Sequence, residues 1–290
     1  MVKSTIAVCI ASFNRREKTL SCLQRLYSSR LPSETHLVIH LLDDASSDGT
    51  AAAVAKHFPS VHIHHGDGNC FWAGGMRVAY GAALAENHDY YLWLNDDVEL
   101  FPDSLERAIA TSIEIKHKFA GEHLIIGATR KREAEVVTYS GFERSSSILP
   151  WKFRRIAPFP TEPRECHTIN GNFVLISREV AQRTGSINSA FVQMHADLTL
   201  GLIARQRGIR NWILPGYIGI CDANVGGRKD WKAPGLTWSE RLRLINHPLG
   251  YPFGPSWAYS RLFGLWAPLM VVAPYIGLVR AWLTSLITKN

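Results

Sequence analysis

Short apolar runs alternate with longer helical patterns through the first 130 residues, and this alternation constrains the fold more than any other feature of the chain. Runs rich in Val, Ile and Leu are typical of strands that a parallel sheet buries on both faces. Because helices connect parallel strands, the pattern predicts an α/β fold with a mainly parallel central sheet flanked by helices. We expect strands at 5–12, 36–43, 61–65, 90–95 and 123–129, and helices at 16–28, 47–57, 75–86 and 103–117.

Several local signals add detail to this pattern. Asp103 precedes Glu106 by three residues and follows Pro102, which predicts a capping box at the start of the fourth helix. Residues 143–166 carry four prolines and many polar residues, which is typical of a long surface excursion. Downstream, "TINGNFVLISREV" predicts a strand entering a helix, and "HADLTLGLIARQRG" predicts a helix ending at Gly208.

Composition places the chain among globular proteins, since 290 residues with 46% hydrophobic content support a sizeable core. The five cysteines are odd in number and scattered, with no CxxC spacing, which favours free thiols in a reducing cytoplasm. The apolar run before Ser12 is too short for the core of a signal peptide, so we interpret it as a buried strand.

The C-terminal segment differs in character from the rest of the chain. From Arg205 onward, basic residues exceed acidic ones by eight, and five of the nine tryptophans lie in the last 60 residues. Residues 262–279 are uncharged, which approaches the length of a membrane-spanning helix, but prolines and glycines interrupt them. We prefer amphipathic segments lying in a membrane interface over a spanning helix or an ordinary packed helix pair. The predicted division is 1–250 for the catalytic domain, with halves at 1–101 and 102–250, and 251–290 for membrane docking.

Three polar clusters fall where predicted strands end, namely "ASFNRR", "DDASSDGT" and "NDD". Ligands collect beyond the carboxyl ends of parallel strands, so the clusters should converge on one crevice suited to a nucleotide diphosphate. Asp43 or Asp44 could accept the imide N–H of uracil or thymine. The glycine-rich loop "GDGNCFWAGGMR" would contribute flexible backbone, although it is also consistent with a tight strand-to-helix turn. The expected donor-binding residues are Ala11, Ser12, Asn14, Arg15, Asp43, Asp44, Asn69, Trp72, Gly75, Arg77, Asn95 and Asp96.

Asp96 and Asp97 follow the apolar run "YYLWL", and two adjacent carboxylates near a core repel each other and lose hydration. A cation opposite them would offset that cost. Mg²⁺ and Mn²⁺ prefer carboxylate and phosphate oxygens, so the pair predicts a divalent metal site, whereas a solvated strand end is the structural alternative.

These segments together resemble a known family. "IAVCIASFNRREKTLSCLQRL", "VIHLLDDASSDGT", "GNCFWAGGMRVAYGAAL" and "YLWLNDDVEL", in this order and spacing, look like the nucleotide-sugar half of family 2 glycosyltransferases. "NGNFVLISREVAQRTGSINSAF" and "MHADLTLGLIARQRGI" resemble the acceptor half of the same family, extending the likeness to about residue 216. The resemblance implies a GT-A fold, a sugar-nucleotide donor and commonly inversion with a divalent metal.

The resemblance also implies roles for particular residues. Asn95, Asp96 and Asp97 occupy the family's Asp-x-Asp segment, with Asp97 at the metal-binding position and Asn95 replacing the first Asp. Asp43 matches the base-reading position, and Asp197 matches the catalytic Asp that would accept the acceptor proton. Asp222 is a second candidate for the metal, and Asn172 and His195 are candidates for the acceptor side. Three positions depart from the family pattern: Ala196, Thr199 and Ile203. His195 is also consistent with a packing neighbour of the base.

The sequence thus predicts a cytoplasmic, peripherally membrane-bound glycosyltransferase of the type that builds bacterial surface polysaccharides. Its expected partners are a UDP, dTDP or GDP sugar, a saccharide acceptor that is either free or lipid-linked, and the inner face of the cell membrane. A non-catalytic nucleotide-sugar-binding scaffold is the alternative. A dinucleotide oxidoreductase is disfavoured because no GxGxxG follows the first strand. Nucleic acid is not expected, since the basic residues cluster with apolar runs instead of on a recognition module.

Overall fold

The computed structural model describes residues 4–222 and 230–287. Twelve strands lie within these ranges: β1 (Ser4–Ser12), β2 (Thr35–Asp43), β3 (His62–His65), β4 (Tyr90–Leu94), β5 (Glu99–Leu100), β6 (His123–Arg130), β7 (Val137–Tyr139), β8 (Phe142–Arg144), β9 (Phe153–Arg155), β10 (Arg164–Cys166), β11 (Phe173–Ser177) and β12 (Arg210–Ile220). The helices of the same ranges are α1 (Arg16–Tyr27), α2 (Thr50–His57), α3 (Phe71–Ala85), α4 (Ser104–Lys118), α5 (Arg178–Thr184), α6 (Ala196–Gln206), α7 (Trp238–Ile245), α8 (Phe253–Ser260) and α9 (Ala267–Ile287), with a 3₁₀ segment at Arg261–Trp266.

A single large sheet runs through the centre in the order β10-β12-β6-β11-β4-β1-β2-β3. Six of these strands (β3, β2, β1, β4, β6 and β12) point the same way, while β11 in the middle and β10 at the edge are antiparallel to their neighbours. The prediction of a mainly parallel sheet flanked by helices is confirmed, with one reversed strand between the two halves.

Successive residues of β1 enter different hydrophobic clusters, as the two-residue period of a strand requires. Ala7 and Cys9 pack with α3, whereas Ile6, Val8 and Ile10 pack with α1. Burial on both faces explains why the predicted strands read as unbroken apolar runs and why their limits agree with the structure to within one residue.

The helix starts were less well predicted. α3 begins at Phe71, four residues before the expected Gly75, and α2 begins at Thr50 because Asp48 accepts the Thr50 amide at 3.0 Å. The capping box predicted at Asp103 is wrong, since Asp103 makes no side-chain cap bond and instead pairs with Arg107 at 3.1 Å. A capping box does form at Thr237 and Glu240, ahead of α7.

The excursion at 143–166 contains short strands that sequence alone did not reveal. β8 and β9 form a two-stranded hairpin, and β10 joins the edge of the main sheet beside β12. Ile156 and Cys166 are buried there, so the excursion is anchored to the core at both points.

All five cysteines lie among the described residues and are free thiols, as expected. Four are buried, and burial raises the pKa of the Cys166 thiol to about 12. A thiol with such a raised pKa carries little thiolate at neutral pH and is correspondingly unreactive.

The C-terminal helices pack directly against the helices of the preceding residues. Tyr259 of α8 is buried in the same cluster as Ala196 and Leu200 of α6. Within the run Phe253–Ser285, an 18-residue window has a mean hydropathy of 1.9, and by length and composition the run could cross a membrane. Gly264 breaks it with non-helical backbone (φ 58°, ψ −123°), whereas Pro274 lies inside the continuous α9.

Candidate functional site

The polar clusters after β1 and β2 meet at the carboxyl edge of the sheet. Asn14 adopts a left-handed conformation (φ 51°), and its side-chain oxygen accepts the Ser47 amide at 2.8 Å. Asp48 accepts the Arg16 amide at 2.9 Å. These contacts hold the loop after β1 against the loop after β2. The first two of the three polar clusters therefore lie together, as expected from the ends of parallel strands.

Asp43 and Asp44 are both buried but differ in what they bind. Asp44 accepts the amides of Gly68 at 2.9 Å and Phe71 at 3.1 Å, and thereby fixes the glycine-rich loop. Asp43 accepts the Ser46 amide at 3.3 Å through Oδ2, whereas its Oδ1 is buried with no hydrogen-bond partner in the parts of the chain that the structure describes. This buried oxygen is free to accept a hydrogen bond, which favours Asp43 over Asp44 as the residue that would accept the N–H of a nucleotide base.

Several of the expected donor-binding residues have packing roles. A Cβ on Gly75 would lie 2.8 Å from the Ala11 Cβ, so glycine is needed for α3 to approach β1. Ser12 shares a 2.8 Å hydrogen bond with Thr19. Arg77 donates to the carbonyl of Phe191 at 2.9 Å, which ties α3 to the loop before α6. Asn69 is exposed in the loop, where its amide donates to Asp67 at 2.9 Å.

Arg15 provides the positive charge opposite the two adjacent carboxylates. Its Nη1 lies 3.0 Å from Asp96 Oδ1 and 3.0 Å from Asp97 Oδ2. Asp96 is 3% exposed, and burial raises its pKa to about 6 even though Arg15 and hydrogen bonds act in the other direction. The pair therefore remains electrostatically strained with one guanidinium beside it.

A cavity of about 260 Å³ opens beside Asp97. Asp97 and Asp222 both line it, together with Lys18 and Arg132, while Asp97 Oδ1 accepts the Cys221 thiol at 3.4 Å. Four acidic residues line the cavity, namely Glu17, Asp97, Glu99 and Asp222, and carboxylate oxygens are ligands that Mn²⁺ and Mg²⁺ prefer. Of the three expected metal ligands, Asp97 and Asp222 line the cavity, whereas Asp96 lies against Arg15 and Thr19.

Trp72 links the Asn95–Asp97 segment to the acceptor side. Its indole N–H donates to Asn95 Oδ1 at 2.8 Å, and its ring covers Gly171, where a Cβ would lie 2.4 Å from ring carbons. The Asn95 side-chain oxygen is therefore used in positioning Trp72. Glycine at 171 is required by this close approach of the ring.

Asp197 is held entirely by N–H groups. Its Oδ2 accepts from Asn170 Nδ2 and from the Gly171 amide, each at 3.1 Å, and its Oδ1 accepts the Leu198 amide at 2.7 Å. Burial raises the pKa of Asp197, and the hydrogen bonds oppose that rise without cancelling it. A carboxylate with a raised pKa is a better proton acceptor, as a general base requires.

His195 and Asn172 are the two residues expected on the acceptor side. His195 has φ 71° and stacks on Tyr259 of α8, with ring centroids 4.3 Å apart. The stacking is the packing contact that the sequence left as an alternative. Asn172 is buried, and neither of its side-chain polar atoms has a hydrogen-bond partner within residues 4–222 and 230–287.

Sequence reasoning overlooked Thr19, Asn170, Cys221 and Tyr259 as members of the site. Asn170 stands in the "NGN" segment that the sequence analysis quoted, so position in that motif was an available signal. The other three reach the carboxylates from distant segments, and no local pattern marks them. Thr199 and Ile203 line a cavity of about 50 Å³ with Trp93 and Phe191, so these two departures lie in apolar packing.

Comparison with known proteins gives a family match over most of the chain. The family described as "Glycosyl transferase family 2" matches residues 7–185, which include Asp43, Asp96 and Asp97. The galactofuranosyltransferase GlfT2 of Mycolicibacterium smegmatis is 29% identical over 131 residues, which cover 43% of this chain and 19% of GlfT2. The chain therefore spans about a fifth of the length of that curated relative.

Two solved structures share the fold at low identity. Residues 1–349 of TarS from S. aureus, in complex with UDP, are 10% identical with a TM-score of 0.53, over 90% of this chain and 71% of that one. The mannosyltransferase PcManGT from Pyrobaculum calidifontis, in complex with GDP-Man and Mn²⁺, is 15% identical with a TM-score of 0.50, over 100% of this chain and 89% of that one. The GT-A-type architecture expected from the resemblance is thereby confirmed.

Proposed function

The chain belongs to glycosyl transferase family 2, and we propose that it transfers a sugar from a nucleotide-diphosphate sugar to a hydroxyl group of a saccharide acceptor. The complexes of TarS with UDP and of PcManGT with GDP-Man support a nucleotide-sugar donor. The expected donors are UDP, dTDP or GDP sugars. The proposed setting is bacterial surface polysaccharide or lipid-linked glycan synthesis at the cytoplasmic face of the membrane.

One observation carries the proposal: Trp72 joins the Asp-rich segment after β4 to the Asp197 loop through hydrogen bonding to Asn95 and contact with Gly171. Donor and acceptor chemistry would thereby meet along one edge of the indole, since Nε1 and the ring carbons that contact Gly171 lie on the same edge. The open acceptor on Asp43 serves the base of the donor. Arg15, which pairs with Asp96 and Asp97, is the proposed contact of the negatively charged diphosphate.

The proposed reaction is a single displacement that inverts the anomeric centre. Asp197 takes the proton of the acceptor hydroxyl, whose oxygen forms the new bond to the anomeric carbon. The bond from that carbon to the diphosphate oxygen breaks, and the nucleoside diphosphate leaves with the electron pair. Asn170 and the Gly171 amide orient the Asp197 carboxylate for this transfer.

Asp97 and Asp222 are the proposed ligands of a divalent metal, with Asp96 behind them. When bound, Mn²⁺ or Mg²⁺ would supply positive charge that stabilises the leaving diphosphate. The Mn²⁺ in the PcManGT complex supports this choice of ion.

The function is tested by a thermal-shift screen of UDP, dTDP and GDP sugars with and without Mn²⁺, followed by assays of hydrolysis and transfer. We expect one nucleotide class to raise the melting temperature, and Asp43→Asn to lose that shift, because an amide no longer offers only acceptors. Asp230→Asn, at an exposed position, is the control. Binding without hydrolysis or transfer across acceptors would instead favour the scaffold alternative.

We also propose that α9 docks on the membrane surface. The exposed apolar side chains of α9 and of the 3₁₀ segment before it recur every three or four residues and so form one stripe, here called the apolar stripe: Leu265, Leu269, Val272, Ile276, Val279 and Leu283. Exposed Arg261 and Arg280 lie near its ends, where they would attract anionic lipids.

The opposite face of α9 favours a helix that lies on the membrane over one that spans it. Leu278 is buried with Trp231 and Ile245, and the Tyr275 hydroxyl donates to the Tyr251 carbonyl at 3.2 Å. A spanning helix would have to leave these contacts, whereas a helix in the interface keeps them.

Membrane docking is tested by sedimentation with anionic vesicles. Substituting two stripe residues, Leu269→Ser with Ile276→Ser, should release most of the bound protein because less apolar area enters the interface. Ile113→Ser is the matched control, since Ile113 of α4 is 48% exposed and Leu269 is 50% exposed. Substitution is preferable to deletion, because deletion of α8 would remove Tyr259 from the core. Unchanged binding of the double variant would contradict docking through this stripe.

A further inference from the structure

We propose that His40, Glu86 and His88 form a binding site for a transition-metal ion of the Zn²⁺ type, separate from the carboxylates of the donor site. His40 lies on β2, and Glu86 and His88 follow the C-terminal end of α3. One ligand atom from each of the three residues lies within 4.8 Å of the others. We call this group the histidine site.

The spacing of the ligand atoms suits tetrahedral coordination. Glu86 lies between the two imidazoles, with Oε1 at 3.7 Å from His40 Nε2 and Oε2 at 3.2 Å from His88 Nε2. Bonds of about 2.0–2.1 Å to a tetrahedral ion place neighbouring ligand atoms roughly 3.3 Å apart. The carboxylate and imidazole atoms are therefore already near the separations that a bound ion requires.

His40 supplies an independent observation that points to a ligand. The residue is 1% exposed, and its Nε2 is buried without a hydrogen-bond partner in the described part of the chain, because Glu86 at 3.7 Å is too distant. A buried polar atom left in this state is costly unless something binds it. An ion between His40 and Glu86 would satisfy the nitrogen and the carboxylate together.

The surrounding histidines fix the His40 ring in the orientation that a ligand needs. His40 Nδ1 lies 3.3 Å from His64 Nε2, and the ring stacks on His62 with centroids 5.1 Å apart. If Nδ1–H donates to His64, Nε2 presents its lone pair toward Glu86, which is the usual outer contact of a metal-binding histidine.

The ligand chemistry distinguishes this site from the one beside Asp97. Two imidazoles and one carboxylate favour Zn²⁺ and neighbouring ions of the Irving–Williams series, whereas carboxylates with phosphate oxygens favour Mg²⁺ and Mn²⁺. Glu86 is exposed, which gives an ion a path from solvent and leaves room for water as a further ligand. A bound ion would tie the end of α3 to β2, the strand that carries Asp43.

The test is calorimetric titration of the full chain, free of any histidine tag, with Zn²⁺. We expect one ion to bind with an affinity that Glu86→Gln weakens by at least about tenfold, since even outer-shell changes at metal sites cost about 10- to 100-fold. His88→Gln should do the same. Glu114→Gln and His57→Ala are matched controls, because these exposed residues lie on α4 and α2.

Two further measurements separate the histidine site from the donor site. Asp97→Asn should retain Zn²⁺ binding, and Co²⁺ bound to the chain should give visible absorption that disappears in Glu86→Gln. Exposed Glu86 can be replaced without disturbing the core, so a folding defect would not obscure the result. Failure to bind Zn²⁺, or equal binding by Glu86→Gln and the parent chain, would overturn the proposal.

Discussion

The two groups of carboxylates in the crevice are held in different ways. Asp96 and Asp97 face a cation, since Arg15 lies 3.0 Å from each of them. Asp197 has three N–H donors as its hydrogen-bond partners, from Asn170, Gly171 and Leu198. Under the proposed function, the Asp96–Asp97 group would bind cations next to Arg15, whereas the Asp197 group would keep a proton-accepting carboxylate in a fixed orientation.

The physical reason lies in what each group would meet. A nucleotide diphosphate and a metal ion bring large charges, and a guanidinium paired with two carboxylates balances such charges as they enter and leave. A general base must remain ready to accept a proton, and a full positive charge beside it would lower its pKa. Backbone and amide dipoles hold Asp197 without imposing that penalty.

The largest expected effect concerns the base. Asp197→Asn should reduce kcat by about 100- to 10,000-fold, because the amide cannot accept the acceptor proton. Donor affinity should change little, since the proposed donor contacts involve Asp43 and the Asp96–Asp97 segment and not Asp197. Steady-state kinetics with a donor-binding assay would check both, with the exposed Asp230→Asn as control. Near-normal turnover of Asp197→Asn would contradict the assignment of Asp197 as the base, and with it the difference between the two carboxylate groups.

The next effect tests whether Arg15 fully neutralises its partners. Burial raises the folded-state pKa of Asp96 from 3.8 to about 6, so ionised Asp96 opposes folding above pH 6, and this cost fades as the pH falls toward 4. Relative to the parent chain, Asp96→Asn should therefore gain at most about 3 kcal/mol of unfolding free energy between pH 4 and pH 7. Urea unfolding at both pH values measures this.

Asp48→Asn provides a control of opposite sign for that measurement. Hydrogen bonding to Thr50 lowers the pKa of Asp48, so its ionised form stabilises the fold above the ordinary Asp pKa and loses this effect as the pH falls. Asp48→Asn should accordingly lose stability at pH 7 relative to low pH. If Asp96→Asn also lost stability at pH 7 relative to low pH, Asp96 and Asp97 would not be electrostatically strained.

A smaller effect is expected from the dipoles around the base. Asn170→Ala removes one hydrogen bond from the Asp197 carboxylate, so the pKa of Asp197 should rise further. We expect kcat to fall by about tenfold because the carboxylate also loses a contact that orients it. The acidic limb of the kcat profile, where activity is lost as the base becomes protonated, should move to higher pH. Asn188→Ala, an exposed change in the preceding loop, should leave the profile in place.

The smallest effect concerns the residue between the two groups. Trp72→Phe keeps an aromatic ring near Gly171 but removes the N–H bound to Asn95, at a cost of about 1 kcal/mol in unfolding free energy. Gly171→Ala should cost more, because its Cβ would meet the Trp72 ring at 2.4 Å. Thermal unfolding of both variants compares them, and the reverse order would mean that ring contact contributes less than the hydrogen bond.

The sequence predicted the strands well and the contacts of the site less well. β1, β2 and β4 were predicted because burial on both faces imposes a continuous apolar run that local sequence displays. The start of α3 at Phe71 was missed, since Asp44 fixes it through the Phe71 amide from the loop after β2. The Asp103 capping box failed for a local reason, because the carboxylate pairs with Arg107 one helical turn away.

The sequence by itself determined the α/β layout, the family and the presence of Asp43, Asp96, Asp97 and Asp197 as candidate residues, because these depend on periodicity and on motif spacing. Only the tertiary structure decided that Arg15 lies beside both carboxylates of the Asp pair, that Asp43 keeps an open acceptor, and that Trp72 connects Asn95 to the Asp197 loop. Such contacts join residues far apart in the chain. Their distances follow from how helices and strands pack, and local sequence does not encode them.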